Sequence, residues 1–185
     1  AFSNLGNLLR VVDKLDEAEL YLKKAIKLKP NFADAYCNLG AVYREKGLLE
    51  KATEFTYKAI EINPNIAMNY TNLAGIFFDQ GELQQAKKFL QKSITIDPDS
   101  AIPYNNLGSI YKDLGKLNDA EASIIKSLEI KPDYARAYFN LSTLRRSIPN
   151  QDFFRILFSE NILNNKNNKE LIDIYFARAN FLHIE

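Results

Sequence analysis

The chain is short of the residues that most chemistry needs. It has one cysteine, one histidine, one methionine and no tryptophan in 185 residues. A single cysteine, Cys37, excludes internal disulfides and thiolate metal clusters, and it fits a reducing, cytoplasmic setting. A single histidine, His183, removes histidine-based triads and histidine-rich metal sites. No apolar run approaches the length of a membrane span, and the stretch from Ala1 has no signal-peptide pattern. Charge is balanced, with 24 basic and 23 acidic residues interspersed, so the basic face that nucleic acid requires is missing. All seven glycines lie at or before Gly115, each at a repeat position, which leaves no phosphate-cradling loop. Acidic pairs such as Glu17/Glu19 and Asp119/Glu121 fall where helices begin, where negative charge complements the helix dipole without any catalytic role. No cofactor, metal or catalytic residue is expected.

What the chain does have is repetition. Tyr104, Leu107, Tyr111, Gly115, Ala120 and Pro132 recur 34 residues earlier as Tyr70, Leu73, Phe77, Gly81, Ala86 and Pro98. A second step gives Tyr36, Leu39, Tyr43, Gly47, Ala52 and Pro64, and a third gives Phe2, Leu5, Leu9, Ala18 and Pro30. A fixed period of this length is the signature of a solenoid. Each unit reads as two helices. Asn31 or a neighbour caps the first helix of the second unit, Gly47 ends it, and Pro64 stops the next, because proline lacks the N–H and clashes with the preceding turn. Gly6, Gly40, Ala74 and Gly108, facing Ala18, Ala52, Ala86 and Ala120, let the paired helices approach. Tyr36, Tyr70, Tyr104 and Tyr138 fill the space beside them. Pro103 fits a first helical turn.

The pattern weakens after Tyr134. Arg145 replaces the second aromatic and Pro149 the turn glycine. A second helix is predicted over Gln151–Asn165, NNKNNK reads as a loop, and a further first helix follows from Lys169 to Ile184. The expected organisation is four regular units over 1–134, a degenerate fifth unit with a polar loop over 135–168, and a lone first helix over 169–185. This predicts an all-α, right-handed superhelical solenoid of about five and a half antiparallel helix pairs, eleven helices in all.

One series is not explained by packing. Asn4, Asn38, Asn72, Asn106 and Asn140 each stand directly before the repeat leucine, although asparagine is a poor helix-interior residue. They lie about 100° round from the packed face, on the inside of the superhelix. A carboxamide suits the N–H and C=O of an extended peptide, and neighbouring helices roughly 8–10 Å apart match about three residues of extended chain. Five such contacts at ~0.5–1.5 kcal/mol each imply weak, sequence-tolerant binding. Arg10, Arg44, Lys112 and Arg146 occupy equivalent inner places, with Phe78 interrupting, and Glu45, Asp79 and Asp113 follow three of these places. They read either as a charge-balanced face or as basic rungs that favour acidic partners.

The order of aromatic, Leu-Gly, aromatic, Ala and Pro resembles the tetratricopeptide repeat over about four-fifths of the chain. The runs YCNLGAVY, YTNLAGIF, YNNLGSIY and YFNLSTLR resemble the asparagine ladder of the repeat arm of O-linked N-acetylglucosamine transferases. That resemblance implies that the inner asparagines hold the backbone of protein substrates. The rival carboxylate clamp of this repeat class needs lysine and arginine where Ser3, Met68 and Asn72 stand, and later registers also fail. The tail run LFSENILNN…IYFARANFLH resembles bacterial proteins in which such repeats precede a sulfotransferase or glycosyltransferase domain. Three functions stay open: a non-catalytic groove for a protein or peptide, a substrate-recruiting arm of a larger enzyme, and self-association as a homodimer through exposed solenoid ends.

Overall fold

The computed structural model describes residues 1–144 and 151–183. Within these residues the chain is all-helical: eleven α-helices, one 3-10 turn and no strand. The helices group into two compact units, Ala1–Pro98 and Asp99–Glu185.

The first unit holds three helix hairpins: α1 (Phe2–Val11) with α2 (Leu15–Leu28), α3 (Ala33–Glu45) with α4 (Leu49–Ile62), and α5 (Ala67–Asp79) with α6 (Leu83–Ile96). Each hairpin turns on one residue with positive φ, Gly47 at 74° and Gly81 at 79°. Asp13, at 61°, does the same in the first hairpin, a position where only glycine is free of steric cost. At each turn the backbone closes the helix end with a bond across the turn, such as Leu48 N–H to the Tyr43 carbonyl at 2.8 Å. Pro30 and Pro64 lie just past α2 and α4 as expected, and Pro98 lies just past α6. Phe32, the neighbour of Asn31, is the N-cap of α3 and contributes no side-chain bond.

The small-residue columns close the hairpins. Gly6 and Gly40 lie against the Ala18 and Ala52 carbonyls with Leu22 and Thr56 beside them, and Ala74, Ala86 and Leu90 are buried at the equivalent repeat positions. The tyrosines are less uniform than the sequence predicts. Tyr70 is buried, but Tyr36 is half-buried and stacks on Phe55 with centroids 6.0 Å apart. The second aromatic, Tyr43, is the more deeply buried ring of its hairpin, and its hydroxyl donates to Glu19 Oε1 at 3.1 Å.

The second unit opens with a regular hairpin, α7 (Ala101–Asp113) and α8 (Leu117–Ile130), turning on Gly115 at φ 70°. Pro103 sits in the first turn of α7, and Pro132 lies just past α8. Tyr104 is half-buried. Tyr138 is fully enclosed, and its hydroxyl reaches the Pro132 carbonyl at 2.9 Å. α9 (Ala135–Ser142) is the fifth first helix; Arg145, Arg146 and Pro149 lie outside the described residues.

The tail departs from the expected plan. The stretch predicted as one second helix is a short α10 (Gln151–Phe158) followed by a 3-10 turn over Glu160–Leu163. Ser159 Oγ donates to the Ile156 carbonyl, and Arg178 donates to the Leu157 and Ser159 carbonyls at 2.8 Å each, satisfying backbone acceptors released where α10 ends. α11 (Asn168–Leu182) runs parallel to α9 and packs directly along it. Arg136 pairs with Asp173 at 3.0 Å, Phe139 meets Phe176 at 5.3 Å, and Asn180 bonds Ser142 at 3.1 Å. Ile174, Ala177 and Phe181 face the core with Phe153, Leu157 and Ile162. Tyr175, Phe176 and Leu182 are exposed, as expected for this last helix, whereas Phe181 is buried. Among the described helices, α11 alone carries a full capping box, Asn167 with Glu170.

Candidate functional site on the first-helix face

In the first unit, α1, α3 and α5 lie side by side and are joined by side chains 35 residues apart. Asn38 donates to Ser3 Oγ at 3.3 Å, and Asn72 donates to Cys37 Sγ at 3.0 Å. Arg10 pairs with Glu45 and also donates to Asn7 Oδ1 at 3.1 Å. Arg44 grips Asp79 through two bonds of 2.6 and 3.1 Å. Each residue contacts the helix one repeat away and one position along. This follows from tandem helices that repeat every 34 residues and sit slightly offset.

The expectation of an unpaired, exposed ladder therefore needs correction. Asn4 is exposed, but Asn38 and Asn72 are half-buried and each spends one N–H on the preceding first helix. Their carbonyl oxygens and second N–H groups remain free, since a carboxamide carries two donors and an acceptor. In the second unit, Asn140 uses its amide nitrogen on Asn105 Oδ1 at 2.9 Å and Ser109 Oγ at 3.2 Å. Asn106 is half-buried, with no partner among the described residues. The basic rungs are also partly committed. Arg10 and Arg44 are neutralised by Glu45 and Asp79, and Lys112 donates to Thr143 at 2.9 Å. Arg146 lies outside the described residues. Of the two readings, the charge-balanced face fits Arg10 and Arg44.

Between these stitches the first unit holds a cavity of about 280 Å³. Asn7, Asn38 and Asn72 line it with Arg10, Arg44 and Glu45 and the apolar side chains of Ala41, Met68 and Ile76. Gly75 allows this arrangement, because a Cβ there would overlap the Arg44 guanidinium. Burial pushes the Cys37 thiol up to about 11, opposed in part by the Asn72 bond, so it stays protonated and unreactive at neutral pH. The cavity offers hydrogen-bonding amides beside apolar side chains and no nucleophile. Among the described residues no group of acidic, cysteine or histidine side chains could hold a metal, and no helix is long and apolar enough to cross a membrane.

The 35-residue stitching is the feature that repeat spacing missed. Glu45 and Asp79 are visible in the sequence beside the basic places. The useful signal is an arginine followed 35 residues later by an acid, which occurs twice in the first unit.

Known proteins share this architecture. A tetratricopeptide repeat model matches residues 33–66, a TPR repeat model matches 6–47 and 74–115, and a further tetratricopeptide model matches 101–134. No curated protein sequence matches the chain. Among solved structures, TTC0263, a thermophilic TPR protein of Thermus thermophilus, is 21% identical with a TM-score of 0.78, covering 97% of this chain and 100% of that one. PilF of Pseudomonas aeruginosa is 18% identical with a TM-score of 0.72, covering 100% of this chain and 87% of that one. YrrB, described as a TPR protein with an unusual peptide-binding site, is 21% identical with a TM-score of 0.59, covering 98% and 89%. At such identities the likeness concerns the fold alone. With hairpin, turn and small-residue columns all in register and repeat models spanning 6–66 and 74–134, the chain belongs to the tetratricopeptide-repeat proteins.

Proposed function

We infer that the chain is a protein-interaction module that holds an extended segment of a partner protein on its first-helix face, without catalysis of its own. The observation that carries this reading is the cavity in the first unit, lined by Asn7, Asn38 and Asn72 together with the apolar Met68 and Ile76. The free carboxamide oxygens of Asn38 and Asn72 accept peptide N–H groups, and the remaining amide N–H groups donate to peptide carbonyls. Asn4 belongs to the same series within the first unit, and Asn106 and Asn140 hold the equivalent repeat positions in the second unit. Because Arg10 and Arg44 are already ion-paired, backbone contacts rather than charge selection dominate, and affinity is modest. A reducing, cytoplasmic setting belongs to the same reading, as does the arm of a larger sulfotransferase or glycosyltransferase that would recruit a protein substrate through this face.

The test is Asn38→Ala with Asn72→Ala. Each lost contact contributes about 0.5–1.5 kcal/mol, so the double variant binds peptide partners roughly 5- to 150-fold more weakly, whatever their side chains. Stability changes little, because two half-buried bonds are exchanged for the better helix propensity of alanine. Unchanged peptide affinity in isothermal titration, with the fold intact by circular dichroism, refutes the reading.

A second reading, self-association, is favoured by a separate observation. α11 exposes Ile172, Tyr175, Phe176 and Leu182 along one stripe, and α1 exposes Leu8 and Val11, with Val12 just past its end. Sedimentation that stays monomeric at high concentration removes it.

A further inference from the structure

A second and larger depression of the first unit is lined by residues of α2, α3 and α4. It encloses about 640 Å³ and is walled by Tyr36, Phe55 and Tyr57. Tyr36 and Phe55 stack, and Tyr57 stands at the edge of Phe89 with 40% of its surface exposed. Four charged residues stand round it. Lys23 is paired with Glu19 on its own helix at 2.7 Å, and Lys58 with Glu61 at 2.9 Å. Glu54 lines the same depression and has no partner among the described residues.

We propose that this depression is a docking site for an arginine side chain displayed by a partner protein, with the guanidinium laid on the aromatic wall and Glu54 as its counter-ion. The argument is charge complementarity. Both cations of the rim are neutralised by acids on their own helices, so the one uncompensated charge among the described residues of the rim is a carboxylate. Aromatic faces add a negative quadrupole to it. The surface of the same unit already uses this contact internally, with Lys51 over the Tyr43 ring at 5.6 Å and Lys24 over Tyr21 at 5.1 Å. Arginine suits the site better than lysine because its planar group stacks on a ring while its edge donates to a carboxylate. None of these residues takes part in the first-helix groove, so the proposal stands or falls separately from that reading.

The experiment is a two-dimensional NMR titration of the full chain with the capped peptide Gly-Ser-Arg-Ser-Gly, and with the same peptide carrying neutral citrulline in place of arginine. The arginine peptide is expected to give saturable shifts at Glu54, Phe55 and Tyr57, and the citrulline peptide much weaker ones. Glu54→Gln and Tyr57→Leu should each weaken the arginine peptide roughly two- to five-fold, the range of an exposed ion pair or cation–ring contact. Both substitutions lie on the surface of α4, and an unchanged melting temperature confirms the fold. Equal shifts with arginine and citrulline, no loss on Glu54→Gln, or stronger binding of an aspartate peptide through Lys23 and Lys58 overturns the proposal.

Discussion

Gly40→Ala tests the packing logic of the repeat at a single atom. Gly40 lies in the middle of α3, where alanine would ordinarily gain about 0.8–1.0 kcal/mol of helix propensity. Here the new Cβ would overlap Thr56 Oγ1 and lie 3.2 Å from the Ala52 carbonyl and 3.3 Å from the Thr56 nitrogen. α4 must retreat, and overpacking of this kind costs about 1–3 kcal/mol. The net expectation is a loss of about 0–2 kcal/mol. The same column contains its own control, because Ala74, at the equivalent position in α5, is buried and already carries the Cβ that Gly40 lacks. The obstruction at Gly40 is therefore Thr56, whose hydroxyl is fixed by a 2.7 Å bond to the Ala52 carbonyl. In a Thr56→Ala background the substitution should turn neutral or stabilising, giving a coupling of about 1–3 kcal/mol in the double-mutant cycle. Urea denaturation of the four proteins measures it. A coupling under ~0.5 kcal/mol would show that the close approach of α3 and α4 does not depend on glycine.

Three further outcomes follow from particular contacts. Glu19 is held well below its ordinary value, to about 2, by hydrogen bonds from Lys23 and Lys46. Its contribution to stability is complete above about pH 4.5, where the unfolded carboxyl is ionised, and is lost as pH falls towards 2. Glu19→Gln should flatten acid-unfolding curves within that window, and an unaltered acid slope argues against the cluster. Asn167→Ala removes the side-chain cap of α11 and should cost about 1 kcal/mol in thermal unfolding, with reduced amide protection over the first turn of that helix. Tyr138→Ala should cost about 3–5 kcal/mol because the ring is wholly enclosed, whereas the half-buried Tyr104→Ala should cost distinctly less. Equal losses would place both rings in equivalent environments.

The sequence by itself determined the repeat. A 34-residue period of Gly or Ala, aromatic and Pro fixes where helices pair and stop, because those constraints are local: a turn needs positive φ, a helix cannot pass proline, and paired backbones need small residues. It also placed Asn38, Asn72, Arg10 and Arg44 on one face, since helical spacing alone assigns a side. What those side chains do was decided only in three dimensions. Asn72 meets Cys37 and Arg44 meets Asp79 because neighbouring first helices sit offset, and an offset between helices is a tertiary quantity that no period encodes. The tail shows the same division. Spacing located α11, but which of its rings are covered was decided by α9: α11 rests along it and buries Ile174, Ala177 and Phe181, leaving Tyr175, Phe176 and Leu182 exposed. Which stripe of a helix is covered depends on the neighbour that covers it, and after Tyr134 that neighbour is no longer dictated by the repeat.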